Sequence, residues 1–90
     1  MKRFVIERDL PGIGGSSIED LAGATATSNS ALAQLAPRVQ WEHSYVTGNK
    51  TFCIYLAEDE AAIHEHARIS GFPATTITEV TTIIDPTTGS

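Results

Sequence analysis

The chain has too little of several things, and each shortage excludes a class of protein. One cysteine in 90 residues leaves no possible internal disulfide, so the disulfide-stapled secreted domains are out. Only six Lys and Arg stand against 11 Asp and Glu, for a formal net charge of −5. Neutralising phosphates takes a basic face, so no nucleic acid is expected as a partner. No apolar run approaches the roughly 18–20 residues of a membrane span, so no membrane partner is expected either. After Met1-Lys2-Arg3 only Phe4-Val5-Ile6 are apolar before Glu7-Arg8-Asp9, against the about 7–15 apolar residues of a signal peptide. A cytoplasmic location is the expectation, and it suits a free thiol. Proline is scarce at four residues while 41 % of the chain is hydrophobic, which argues against disorder.

The length fits one domain, residues 1–90, with about 85–90 as a tail. A chain of this size buries only about 60 % of its unfolded surface, so its own core is marginal. With disulfides excluded, a metal or a second subunit is the remaining kind of staple.

The pattern reads strand, helix, strand, strand, helix, strand. Phe4–Asp9 alternates and is rich in strand formers. Leu10-Pro11-Gly12-Ile13-Gly14-Gly15 then breaks regular structure. Ser16 stands three residues before Glu19, the spacing of a capping box, which predicts a helix starting near Ser17. Its apolar stripe is Ile18, Leu21, Ala22, Leu32, Leu35 and Ala36, and Pro37 ends it. The middle, from Gly23 to Ser30, holds only weak helix formers apart from Ala, so this helix depends on tertiary packing. Val39–Thr47 and Thr51–Ala57 read as strands joined by the tight turn Gly48-Asn49. Glu58, Asp59 and Glu60 open a second helix, with negative charge at its positive end. Its inner stripe is Ile63, His66, Ala67 and Ser70; Gly71 is placed for a left-handed cap and Pro73 for the stop. Thr78–Ile84 is the last strand. The order βαββαβ is the ferredoxin-like α+β pattern, an antiparallel sheet with two helices on one face.

A two-residue turn makes hairpin partners sum to 97, pairing Tyr45 with Phe52, His43 with Ile54 and Trp41 with Leu56. These six form one apolar face, expected under the helices. Glu42, Ser44, Val46, Thr51, Cys53 and Tyr55 form the other, with Val5 joining them. A three-residue loop would shift this parity. The second face is expected to be bare but half apolar, so it needs cover. Sheet-against-sheet homodimerisation supplies it, and a purely structural dimer explains the same residues.

The metal-ligating side chains are His43, Cys53, His64, His66 and the carboxylates. His64-Glu65-His66 falls in a helix, where residues two apart point about 200° apart, so it is no bidentate clip. His66 is expected to point inward and His64 outward, where Glu60 shares its face. Glu60 and His64 could hold part of a surface metal site, but two unrelated histidines, one in the core and one solvated, are the favoured account of the pair. A mid-strand cysteine is most often a small buried hydrophobe. Carboxylates near Cys53 would raise its thiol pKa, which disfavours a nucleophile and is compatible with a ligand. His43, between Trp41 and Tyr45, reads as a core histidine. Gly12-Ile13-Gly14-Gly15 resembles a phosphate cradle but lacks the full fingerprint and a lysine, so it reads as a permissive turn. No Ser-His-Asp or paired-acid motif stands out, so an enzyme is the less favoured expectation.

Several blocks of the string resemble a known family: Phe4-Val5-Ile6-Glu7-Arg8-Asp9 with Pro11-Gly12, Gln40-Trp41-Glu42-His43-Ser44-Tyr45-Val46, Lys50-Thr51-Phe52-Cys53-Ile54-Tyr55-Leu56-Ala57, Glu65-His66-Ala67-Arg68, Gly71-Phe72-Pro73-Ala74 and Ile84-Asp85-Pro86-Thr87. The chain is similar, over nearly its whole length and in block order, to a small bacterial ferredoxin-like family long described as a domain of unknown function, some of whose members are nickel-binding. The resemblance implies a dimer with a shared sheet interface, divalent nickel as the bound ion, and metal sequestration as a role. His43, Cys53 and His66 are the thiol and imidazoles inside the matching blocks, with Glu7 and Glu65 beside them. His64 has no counterpart expected in relatives. Imidazole and thiolate suit nickel.

Two readings therefore stand. The first is a non-enzymatic nickel-binding homodimer using His43, Cys53, His66, Glu7 and His64. The second is a small-molecule binder or enzyme of the dimeric α/β-barrel type, with Glu7, His43, Tyr45 and Cys53 as acid–base groups. The second requires a pocket of roughly 300 Å³ between sheet and helices with two of those groups converging. It fails if Trp41, Phe52 and Phe72 fill that space.

Overall fold

The computed structural model describes residues 1–89; Ser90, the last residue of the expected tail, lies outside them. The elements run β1 (Lys2–Asp9), a 3₁₀ turn (Ile13–Gly15), α1 (Ile18–Leu35), β2 (Val39–Val46), β3 (Lys50–Ala57), α2 (Glu60–Ser70) and β4 (Thr76–Val80), followed by a 3₁₀ turn at Pro86–Gly89. The sheet is antiparallel with strand order β2-β3-β1-β4. This is the expected α+β ferredoxin-like arrangement.

Local chemistry sets the ends of the helices. Ser17, not Ser16, caps α1: its Oγ accepts from the Asp20 N–H at 3.1 Å. Asp59 caps α2 by accepting from the Ala62 N–H at 2.9 Å. Such caps satisfy amides that have no partner inside the helix. Gly71 closes α2 at φ 78°, the left-handed conformation that glycine adopts without a Cβ clash. Gly14 serves close approach: a Cβ there would lie 2.6 Å from the Thr47 carbonyl oxygen, and its amide donates to the Gly48 carbonyl at 3.0 Å. The glycine loop thus ties the start of α1 to the β2–β3 turn.

The hairpin register holds near the turn and changes beyond it. Tyr45 pairs with Phe52 and His43 with Ile54, as two residues of turn require. A bulge between Trp41 and His43 then pairs Trp41 with Tyr55 rather than Leu56. An extra residue in one strand reverses the facing of everything beyond it. Trp41 consequently stacks on Tyr55, ring centroids 6.3 Å apart.

The assignment of faces is the reverse of the one expected from the hairpin alone. The helices cover the face bearing Cys53 and Tyr55, which are 5 % and 2 % exposed. β1 explains why. Phe4 and Ile6 are in register with Tyr55 and Cys53, and Ile6 also pairs with Ile77 of β4. That set is 3 % exposed or less at Phe4 and Ile6. Phe52, Ile54 and Leu56 remain on the open face, half-buried. Val5 lies there as expected, paired with Ile54. Val46 and Tyr55 do not belong to the open face. β4 also begins and ends earlier than the expected Thr78–Ile84, running Thr76–Val80, with Val80 paired to Arg3 as its last contact along β1.

Among the described residues no helix is long and apolar enough to cross a membrane.

Candidate functional site

The expected ligands are split between the two faces of the sheet. His43 is exposed on the open face, where its Nε2 lies 3.1 Å from the Tyr45 hydroxyl and its ring meets Tyr45 edge-on at 5.0 Å. It is not a core histidine: the bulge directs Trp41 inward and leaves His43 out. Glu7 shares the open face but lies on β1, with β3 between it and β2. Strands are about 4.8 Å apart, so β1 and β2 stand about 10 Å apart, too far for His43 and Glu7 to clasp one ion without help. Lys50 Nζ lies 3.6 Å from the Glu7 carboxylate.

Cys53 is on the other side, buried, its Sγ 3.6 Å from Thr51 Oγ1. The carboxylates expected around it are absent from that side, since Glu7 and Glu42 face outward. His66 is inward as expected and 1 % exposed; its Nε2 lies 3.1 Å from Ser28 Oγ and its Nδ1 has no hydrogen-bond partner among the described residues. Its ring packs on Tyr55 at 5.2 Å. Burial, then the nearby Arg8 charge, push its pKa down to about 4, so it is neutral at pH 7. His64 is exposed on the outer side of α2. Among the described residues no three His, Cys, Asp or Glu side chains come together in a way that could hold a metal ion. The expected ligands therefore do not form one site within a single chain.

A cavity of about 280 Å³ lies between the sheet and the first half of α1. The helix stands off the sheet here. Leu21, Ala24, Thr25 and Ser28 form its roof, and Trp41, Cys53 and Tyr55 are among its floor residues. Ile18 and Ala22, expected on the packing stripe, are instead exposed, Ile18 at 83 %. Phe72 borders the cavity but does not fill it, and Phe52 faces away. Of the four groups considered as acid–base residues only Cys53 lines it; Glu7, His43 and Tyr45 do not.

The residue that sequence reasoning missed is Arg8. It lines the cavity at 3 % exposure. Its Nη1 donates to the Pro73 carbonyl at 2.8 Å and the Phe72 carbonyl at 3.3 Å, and its guanidinium carbon lies 6.0 Å from the Tyr55 ring centre. Burial raises the Tyr55 pKa, an effect opposed by hydrogen bonding to Ser28 and by Arg8. The strand alternation carried the signal: Arg8 is in phase with Phe4 and Ile6 (period two), so it had to point to the same side as they do.

Comparison with known proteins fits this fold. Residues 4–80 match the model of a family described as "Nickel responsive protein SCO4226-like". The crystal structure of SCO4226 from Streptomyces coelicolor A3(2) superposes with a TM-score of 0.76, at 17 % sequence identity, over 91 % of this chain and 99 % of that one. None of the curated proteins compared matches the chain. The family match covers most of the chain, and the chain belongs to the SCO4226-like family.

Proposed function

We propose that this member of the SCO4226-like family is a non-enzymatic nickel-binding protein whose metal site is completed between two copies of the chain. One observation carries the reading: His43 sits exposed on an open sheet face flanked by half-buried Val5, Phe52, Ile54 and Leu56. An apolar surface of this kind on so small a chain favours a partner. A two-fold axis through that face presents the same side chains twice, so donors too far apart in one chain can converge across two. His43 is the first ligand proposed, with Glu7 as its carboxylate companion. Imidazole with carboxylate is a donor set that nickel accepts. Cys53 and His66 are buried on the other face, so binding there requires the helices to open. His64, alone on the outer side of α2, is the weakest candidate.

The test is calorimetric titration of tag-free protein with nickel sulfate, alongside sedimentation. Saturation near about one ion per two chains is expected, with the dimer favoured by metal through mass action. His43→Ala should weaken binding by about tenfold or more, while Cys53→Ala should leave it unchanged. No heat at about millimolar nickel, or binding indifferent to His43→Ala, removes this reading.

A further inference from the structure

The cations of this chain divide five to one. Lys2 lies by Glu79, Arg3 by Glu42, Arg38 by Glu58, Lys50 by Glu7 and Asp9, and Arg68 by Glu65. Arg8 is the sixth and the most buried, and among the described residues it has no carboxylate within ion-pair distance. In a chain with 11 acidic residues this is a selective absence. Buried charges are ordinarily paired, because an isolated one loses its hydration with nothing to replace it. Two carbonyls and an aromatic face solvate Arg8 without neutralising it.

The position of Arg8 gives the absence meaning. It borders the 280 Å³ cavity, whose other walls are largely apolar and include Leu21, Trp41 and Phe72. Ser28 and Tyr55 belong to the same lining. Exposed Thr25 and Val46, the latter 45 % exposed, open the cavity to solvent. An apolar chamber with a few convergent polar groups is the usual form of a small-molecule site, though this one lies just under the usual range of about 300–1,000 Å³.

We propose that the cavity binds a small organic monocarboxylate, its carboxylate paired with Arg8 and its apolar body lodged against Leu21, Trp41 and Phe72. The guanidinium fork matches a carboxylate, and a single cation matches a single negative charge. A phosphate ester near neutral pH carries close to two charges, and the second would be buried without a partner. The small residues of mid-α1 follow from the same reading: Ala24, Thr25 and Ser28 keep the roof high where larger side chains would close it. This site lies on the opposite side of the sheet from His43 and does not depend on nickel.

Trp41 is the chain's single tryptophan and lines the cavity, so its fluorescence reports occupancy directly. The probes are phenylacetate and its neutral isostere phenylacetamide, titrated into the wild-type protein at neutral pH. Saturable change in Trp41 emission is expected, with the acid bound at least about tenfold more tightly than the amide. Arg8→Met should abolish that preference. Ala24→Leu, which fills the cavity and leaves Arg8 in place, should abolish binding of both probes while the protein stays folded by circular dichroism. No saturable change up to about 10 mM acid, equal affinity for acid and amide, or unaltered binding in Ala24→Leu would each overturn the proposal. The wild-type and Ala24→Leu results decide it even if Arg8→Met does not fold.

Discussion

The two faces of one sheet hold their charges and their apolar groups in opposite ways. On the open face the large side chains Phe52, Ile54 and Leu56 are only half-buried, and charge is balanced pair by pair, as in Arg3 with Glu42 and Lys50 with Glu7. On the helix face smaller side chains such as Cys53 and Ala57 are almost wholly buried, while Arg8 there has no acid within ion-pair distance among the described residues. Apolar size alone therefore did not decide which face became the core. The decision came from agreement among strands: Phe4, Ile6, Tyr55 and Ile77 reinforce one another across β1, β3 and β4. The open face keeps its apolar surface unspent, available to a second copy.

The sharpest break of this comparison is an isoleucine truncation on each side. Ile6 is fully buried, so Ile6→Ala should cost about 2–5 kcal/mol in urea denaturation. That is a large share of the about 5–15 kcal/mol typical of whole domains. Ile54→Ala, in the next row but on the open face, should cost less than about 1 kcal/mol at dilute, monomeric concentration. Its cost should rise with protein concentration if the open face is buried between copies. Equal costs at high dilution would mean that the two faces are equivalent after all.

Acid separates the faces next. His66 is neutral in its buried position with its pKa lowered from 6.5 to about 4. Between those values the unfolded chain binds the proton and the folded chain does not. Stability is therefore complete above about pH 6.5 and falls as pH drops toward 4, by up to about 3 kcal/mol. The causes are burial first and the Arg8 charge second. In His66→Leu the part of the acid slope between pH 6.5 and 4 should vanish, measured by urea midpoints against pH. An acid slope that survives His66→Leu would assign it to other groups.

The sequence showed the order of elements plainly and the orientation of the hairpin poorly, for physical reasons. Turn, cap and stop residues act locally: Gly48-Asn49 fixed the pairing of Tyr45 with Phe52, and Asp59 and Gly71 bounded α2. Facing is a collective property. Both faces of the hairpin carry apolar residues, and the bulge beside Trp41 leaves no mark in composition. Once the faces were exchanged, Cys53 passed from an accessible ligand to a buried wall residue and His43 from core to surface. The cavity was equally hidden, because small residues in mid-α1 read as weak helix formers rather than as a raised roof. Arg8 was legible from its phase with Phe4 and Ile6, against the habit of reading every arginine as solvated.

The smallest effect tests whether pairing on the open face matters to the fold. Glu42 is the residue added by the bulge, and it meets Arg3 across the intervening strand. Both side chains are 30 % exposed. Exposed pairs of this kind are worth about 0–1 kcal/mol, since water and salt screen them and two side chains lose freedom. Glu42→Gln should therefore lower stability by less than about 1 kcal/mol, and added salt should shrink the difference. A double-mutant cycle with Arg3→Met isolates the pair from each residue's other contacts. A coupling well above that range would make the bulge a fold-determining feature, with Glu42 placed to lock β2 onto the sheet. A coupling within it leaves the bulge with one structural consequence, the inward turn of Trp41 onto Tyr55, and assigns the making of the core entirely to the helix face.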